Sequence, residues 1–136
     1  MTEMNALNDD AGLVGKLLIF WLLVLSIFVL ASIDSVSIVI TRFHTADIAG
    51  GAAGDAAANY RQSKDAAQAC QVAVEAIRAA DPQVKLAPHG CKIAASTGVA
   101  TVTVYKKATT LIAGRLSFTK KWVTVTDTES VAPPTV

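Results

Sequence analysis

The sequence predicts an α+β protein: one N-terminal transmembrane helix, a long Ala-rich helical continuation, and a small antiparallel sheet of three or four strands. Three observations predict it. Leu17–Ile33 reads LLIFWLLVLSIFVLASI without a charged side chain, inside an apolar run from Leu13 to Ile40. An apolar stretch of about 18 residues or more is the signature of a membrane-spanning helix, because a helix satisfies its own backbone hydrogen bonds where no water reaches. Residues 46–81 are rich in alanine, the strongest helix former, and poor in β-branched side chains. Beyond Pro82 the pattern changes to alternation with period two, clearest in VATVTVY and WVTVTDT.

Residues 1–12 form a polar head with Glu3, Asp9 and Asp10 and no Lys or Arg. The head reads as mobile and cytoplasmic. An acidic head and so long an apolar run do not fit a cleaved signal peptide, whose head is basic and whose apolar core spans about 7–15 residues. Residues 13–40 are therefore expected to be an uncleaved anchor. Trp21 lies too deep for an interfacial belt and faces either lipid or a partner helix. Asp34 is the unusual charge. A carboxylate far inside lipid costs at least ~2.5 kcal/mol, so such groups are paired or lie near the interface. Asp34 either marks where the helix meets headgroups or pairs with a cation on a neighbouring membrane protein. Arg42 lies just beyond the apolar run.

Residues 41–81 are expected to be helical. Ala46, Gly50, Gly54 and Ala58 recur every four residues, which puts four small side chains on one helix face and allows close backbone approach. This ladder is a helix-packing surface, or else Gly50-Gly51 is a flexible joint. From Lys64 the pattern turns amphipathic, with Ala66, Ala69, Cys70, Ala73, Ile77 and Ala80 at helical spacing. Asp81-Pro82 stops the helix, since a residue before proline avoids helical geometry.

Residues 82–129 read as a β-rich extracytoplasmic domain. Expected strands are Gln83–Ala87, Cys91–Ala95, Val99–Tyr105 and Trp122–Thr128, with a turn at Pro88-His89-Gly90. In Val99–Tyr105, Ala100, Val102 and Val104 share a face. Residues 108–116 (ATTLIAGRL) fit a short helix or an irregular crossover. Residues 130–136, with Pro133-Pro134, read as a flexible tail.

Both cysteines, Cys70 and Cys91, follow the apolar run. An even pair in a small domain fits one disulfide in an oxidising compartment, with two unpaired thiols as the alternative. A disulfide sets the orientation: N-terminus cytoplasmic, C-terminal domain outside the cell membrane.

Residues 41–136 carry eleven Lys/Arg against seven Asp/Glu, but the whole chain has a net charge of only +1, too little to suggest nucleic acid. GxSxG, HExxH and CxxC are absent, and His44 and His89 stand apart from any ligand cluster. The sequence thus predicts no enzyme, no metal, no cofactor and no small-molecule substrate. Lys106-Lys107 and Lys120-Lys121, with Arg115, either solvate a surface or meet anionic headgroups or glycopolymers.

The stretch AGLVGKLLIFWLLVLSIFVLASIDSVSIVITRFHTADIAGGAAGDAAA resembles the N-terminal helix of TadE/TadG-like proteins, the pseudopilin-like components of tight-adherence pilus assembly. It shares an apolar segment, an acidic residue near its end at Asp34, then an Arg and an alanine-rich continuation. Val102-Thr103-Val104, Leu111-Ile112-Ala113-Gly114 and the final WVTVTDT are similar to that family's small outer domain. The chain departs from the family at its processing motif, since no Glu follows Gly12 or Gly15. The resemblance implies a non-enzymatic component of an envelope machine that packs against homologous pilin-like subunits. The rival expectation is an accessory single-span subunit of a respiratory or transport complex, with Asp34 and Trp21 against a larger membrane partner.

Overall fold

The structure, a computed structural model, describes the backbone of residues 6–135 and the side chains of residues 12–135. Residues 1–5 of the expected head lie outside the described residues, and the first helix already begins at Ala6.

That helix, α1 (Ala6–Ser63), has 58 residues and is a single α-helix throughout. At 1.5 Å rise per residue it is about 87 Å long. Its two halves meet different surroundings. From Leu13 to Ile33 nearly every large apolar side chain is exposed. Further on, Thr45, Ile48, Ala49, Ala52, Ala53, Ala56, Ala57 and Tyr60 are buried. Their spacing of three and four places them on one face. Alanine there keeps the helix surface smooth, so other elements approach closely. Gly50-Gly51 introduces no break, so the flexible-joint reading does not hold.

The expected single helical region 41–81 is two helices. Lys64 takes a left-handed φ of 57° and turns the chain. Asp65 then caps α2 (Ala66–Ala80), accepting from the N–H groups of Ala67 and Gln68 at 2.8 and 3.1 Å. Alanine-rich composition does not reveal such a turn, because Lys64-Asp65 carries neither Gly nor Pro. α2 runs back along α1, bringing Asp81 beside His44, and buries Ala69, Ala73 and Ile77. The Asp81 N–H closes the helix on the Ile77 carbonyl at 3.0 Å, and Pro82 follows.

Three strands form an antiparallel meander, β1 (Lys85–Ile93), β2 (Ala100–Lys107) and β3 (Thr124–Val131), in the order β1-β2-β3. Two expected strands around Pro88–Gly90 are in fact one. The pairing runs Leu86↔Val104 and then Cys91↔Val102, so the intervening residues form a bulge rather than a turn. His89 has φ 55°, and a Cβ on Gly90 would lie 2.5 Å from the Thr103 carbonyl oxygen. Glycine is required where the bulge presses against β2.

On β2, Ala100, Val102 and Val104 face inward and are fully buried. Outward, Thr101 pairs with Ser130 and Thr103 with Thr128 through hydroxyl hydrogen bonds of 2.8 and 2.9 Å. Trp122 and Val123, expected in the last strand, belong instead to a helical turn, α3 (Lys120–Val123). Ser130, expected in the tail, pairs with Thr101, and Val131 with Ala100. Past the strand, Arg61 on α1 donates to the Pro134 carbonyl.

The core lies between the second half of α1, α2 and the inner face of the sheet. Cys70 on α2 and Cys91 on β1 form a disulfide across it, with Cα atoms 5.8 Å apart. The architecture is α+β, a long helix with a small domain packed on its far half.

Candidate functional site

The residue that organises the end of the domain nearest the apolar half of α1 is Asp34. It lies on the otherwise apolar part of α1, yet only 5% of its surface is exposed. The chain leaves β2 at Lys107 and returns to α3 through an irregular segment, residues 108–119. This segment folds against α1. Leu111 donates its N–H to one Asp34 carboxylate oxygen at 2.6 Å, and Ile112 and Ala113 donate to the other at 2.9 and 2.8 Å. Three successive N–H groups form a concave anion site, and the carboxylate fills it. Ser37, one turn further, donates to the Thr109 carbonyl at 2.6 Å. The loop stiffens itself as well. Gly114 N–H donates to the Thr110 hydroxyl at 2.9 Å, and the Thr119 hydroxyl donates to the Ala113 carbonyl.

Asp34 thus has its hydrogen-bond partners within the chain. The other serines of the apolar stretch are also satisfied locally. Ser26, Ser32 and Ser35 each donate to the carbonyl four residues back.

The loop presents a mixed outer surface. Leu111, Leu116, Phe118 and Trp122 are exposed, Phe118 by 70% and Trp122 by 64%. Arg115, Lys120 and Lys121 are exposed beside them. A groove of about 330 Å³ runs between loop and helix, lined by Ile27, Ala31 and Ile38 on one side and Ile112, Leu116 and Trp122 on the other.

A second polar knot joins three elements. Asp81, at the end of α2, accepts from Lys106 Nζ at 2.6 Å and from Gln83 N–H at 2.8 Å, and lies 3.3 Å from His44 Nε2. The Lys106 hydrogen bond, then the Gln83 N–H and the Lys106 charge, with His44 adding least, hold the Asp81 carboxyl below its ordinary range against the opposing effect of burial.

The remaining sequence candidates separate. Ala46, Gly50, Gly54 and Ala58 are half-buried along the flank of the buried face of α1. A Cβ on Gly50 or Gly54 would meet nothing within 4 Å, so the ladder is open to a partner. Arg42 is exposed, 3.7 Å from Asp127 on β3. Trp21 is 63% exposed and lies 13 residues before Asp34 on α1. Sequence reasoning missed Ser37, the Leu111–Ala113 N–H triplet and Asp81. The one available signal was the unexplained carboxylate at Asp34, since backbone donors leave no mark in residue type.

Among the described residues, no group of three or more His, Cys, Asp or Glu is arranged to hold a metal ion. One helix among them is long and apolar enough to cross a membrane. No family model matches the chain, and no curated protein or solved structure matches it.

Proposed function

We propose that the protein is a non-enzymatic, membrane-anchored structural or assembly component of a bacterial envelope machine, similar to TadE/TadG-like pseudopilins. The observation that carries the reading is the division of α1. One continuous helix exposes apolar side chains over its first half and packs a small domain on its second. Leu13–Ile33 extends about 30 Å at 1.5 Å per residue, the thickness of a bilayer's hydrocarbon core. In this reading the head is cytoplasmic and the domain, held by Cys70–Cys91, stands outside the cell membrane, where disulfides persist.

Such a component acts by packing helices side by side. Gly50 and Gly54 leave an open strip on α1 at a height where a neighbouring subunit's helix would pass. The test is crosslinking in intact cells from Cys substitutions at Ala46 and Gly50. Adducts with a second copy or with a pilin-like protein are expected, and their absence at both positions overturns the reading. Co-purification with a haem or copper protein instead would transfer the chain to the rival class, an accessory subunit of a respiratory or transport complex.

A further inference from the structure

We propose that residues 108–122 form an interfacial loop that inserts Leu116, Phe118 and Trp122 into the outer boundary of the same bilayer that α1 crosses, and sets Arg115, Lys120 and Lys121 against anionic lipid headgroups. The inference rests on the membrane reading of α1 and adds a second, separate lipid contact.

Four observations converge on it. The first is position. Asp34 stands directly after the uncharged run Leu17–Ile33, so the loop is pinned where that run ends. The second is depth. Leu116 and Trp122 share their groove with Ile27 and Ala31. Ile27 lies seven residues before Asp34, about 10 Å nearer the middle of the span. The loop therefore reaches below the level of its own anchor, to a depth typical of elements that lie in the headgroup and acyl boundary.

The third is composition. Within residues 108–124 there are three basic side chains and no Asp or Glu, interleaved with Leu, Phe and Trp. Among the described residues, no carboxylate lies within salt-bridge distance of Arg115, Lys120 or Lys121. Exposed Trp and Phe beside unpaired cations suit a lipid interface, where aromatic rings sit at headgroup level and basic groups meet phosphate. The fourth is continuity. The loop's exposed Leu116 and Trp122 adjoin Ile27, itself exposed within the apolar run of α1. A lipid boundary covers both at once.

The consequence is mechanical. A single span lets a domain swing about its exit point. A span plus an inserted loop, joined through the Asp34 carboxylate and Ser37, fixes the tilt and height of the domain on the membrane. The domain is then presented to neighbouring subunits in one orientation.

The experiment uses the full chain reconstituted into phosphatidylcholine vesicles, with and without phosphatidylglycerol. Trp21→Phe leaves Trp122 as the reporter, and Trp122→Phe leaves Trp21. Lipids brominated at shallow or deep acyl positions quench a Trp at matching depth. Trp122 is expected to be quenched at least about twofold more by shallow than by deep bromine, and more strongly in anionic vesicles. Arg115→Gln, Lys120→Gln and Lys121→Gln together are expected to abolish the anionic enhancement. Asp34→Ala is expected to return Trp122 to the aqueous quencher acrylamide, and Phe118→Ser, at an exposed position, provides a variant that leaves the fold intact while weakening insertion.

Trp21 quenched by deep bromine while Trp122 stays open to acrylamide overturns the loop proposal alone. Trp21 unquenched overturns the membrane reading and the loop with it. Trp122 shielded only at high protein-to-lipid ratio means that a second copy covers it, which also overturns the proposal. Equal quenching in neutral and anionic vesicles removes the role assigned to the basic groups.

Discussion

At the scale of single residues, two aspartates hold this molecule in shape, and both act through backbone geometry as much as through charge. Asp34 takes the N–H groups of Leu111, Ile112 and Ala113. Asp34→Ala would leave those three donors without an acceptor, and a buried N–H without a partner is costly. The expected outcome is local. Amide exchange at residues 111–113 should accelerate by at least about tenfold, while β2 stays protected. Unchanged exchange would mean that the loop is held by its own Thr110 and Thr119 contacts. Asp34→Asn is expected to fall between, because a carboxamide keeps one acceptor oxygen where the carboxylate uses two. Asp81 makes a prediction in pH. Its carboxyl is held below the usual range in the folded chain by Lys106, Gln83 and His44. A group whose folded pKa is depressed contributes stability above its unfolded value, about 3.9, and loses it as pH falls through the folded value. Thermal unfolding followed from pH 6 down to pH 2 should therefore show a fall below about pH 4 that Asp81→Asn reduces. An identical acid limb in the variant would assign the loss to other carboxylates.

At the scale of elements, α1 poses the sharpest question, because its glycines cost stability that nothing inside the domain requires. A Cβ on Gly50 or Gly54 meets no atom within 4 Å. Glycine within a helix is less favourable than alanine by roughly 0.5–1 kcal/mol. Gly50→Ala and Gly54→Ala should each stabilise the solitary chain by about that amount in detergent melts. If the ladder packs against a neighbour, the same changes should also weaken crosslinking across that face. Stabilisation with undiminished crosslinking would strip the glycines of an assembly role. The elements differ in how well the sequence announced them. The apolar run and β2 were legible because one period dominates each: uninterrupted hydrophobicity in the first, strict alternation of Ala100, Val102 and Val104 in the second. The turn at Lys64 was not, since a non-glycine residue adopts the left-handed conformation there without a compositional mark. The bulge at His89-Gly90 imitated a hairpin turn, because both need glycine and a positive φ nearby. The loop at residues 108–119 was ambiguous for a different reason. Its shape is set by a carboxylate 77 residues away from Leu111, and no local pattern encodes so distant a partner.

At the scale of the whole molecule, the arrangement puts one covalent link where the small domain most needs it. The domain's core is built mainly of alanine and valine, and small side chains bury little apolar area each. Cys70–Cys91 joins α2 to the bulged strand β1 across a sequence separation of 21 residues. Closing a loop of that length restricts the unfolded chain by an amount corresponding to roughly 3 kcal/mol. For a domain of this size, whose total stability falls in the range of about 5–15 kcal/mol, that is a large share. The double variant Cys70→Ala/Cys91→Ala should therefore lose about 3 kcal/mol in chemical denaturation, with the loss concentrated in the domain. Amide exchange should rise across α2 and β1, whereas Leu17–Ile33 should be unaffected in vesicles, because the disulfide joins only α2 to β1. The same pair reports orientation. With the domain outside the cell membrane, protein taken from cells under denaturing, non-reducing conditions should resist thiol alkylation until a reductant is added. Ready alkylation of Cys70 and Cys91 without reductant would mean that the pair stays reduced in the cell, and it would remove the ground for placing the domain outside. A loss well under 1 kcal/mol on deleting both thiols would show that the Asp81 knot and the alanine interface between α1 and α2 are sufficient by themselves.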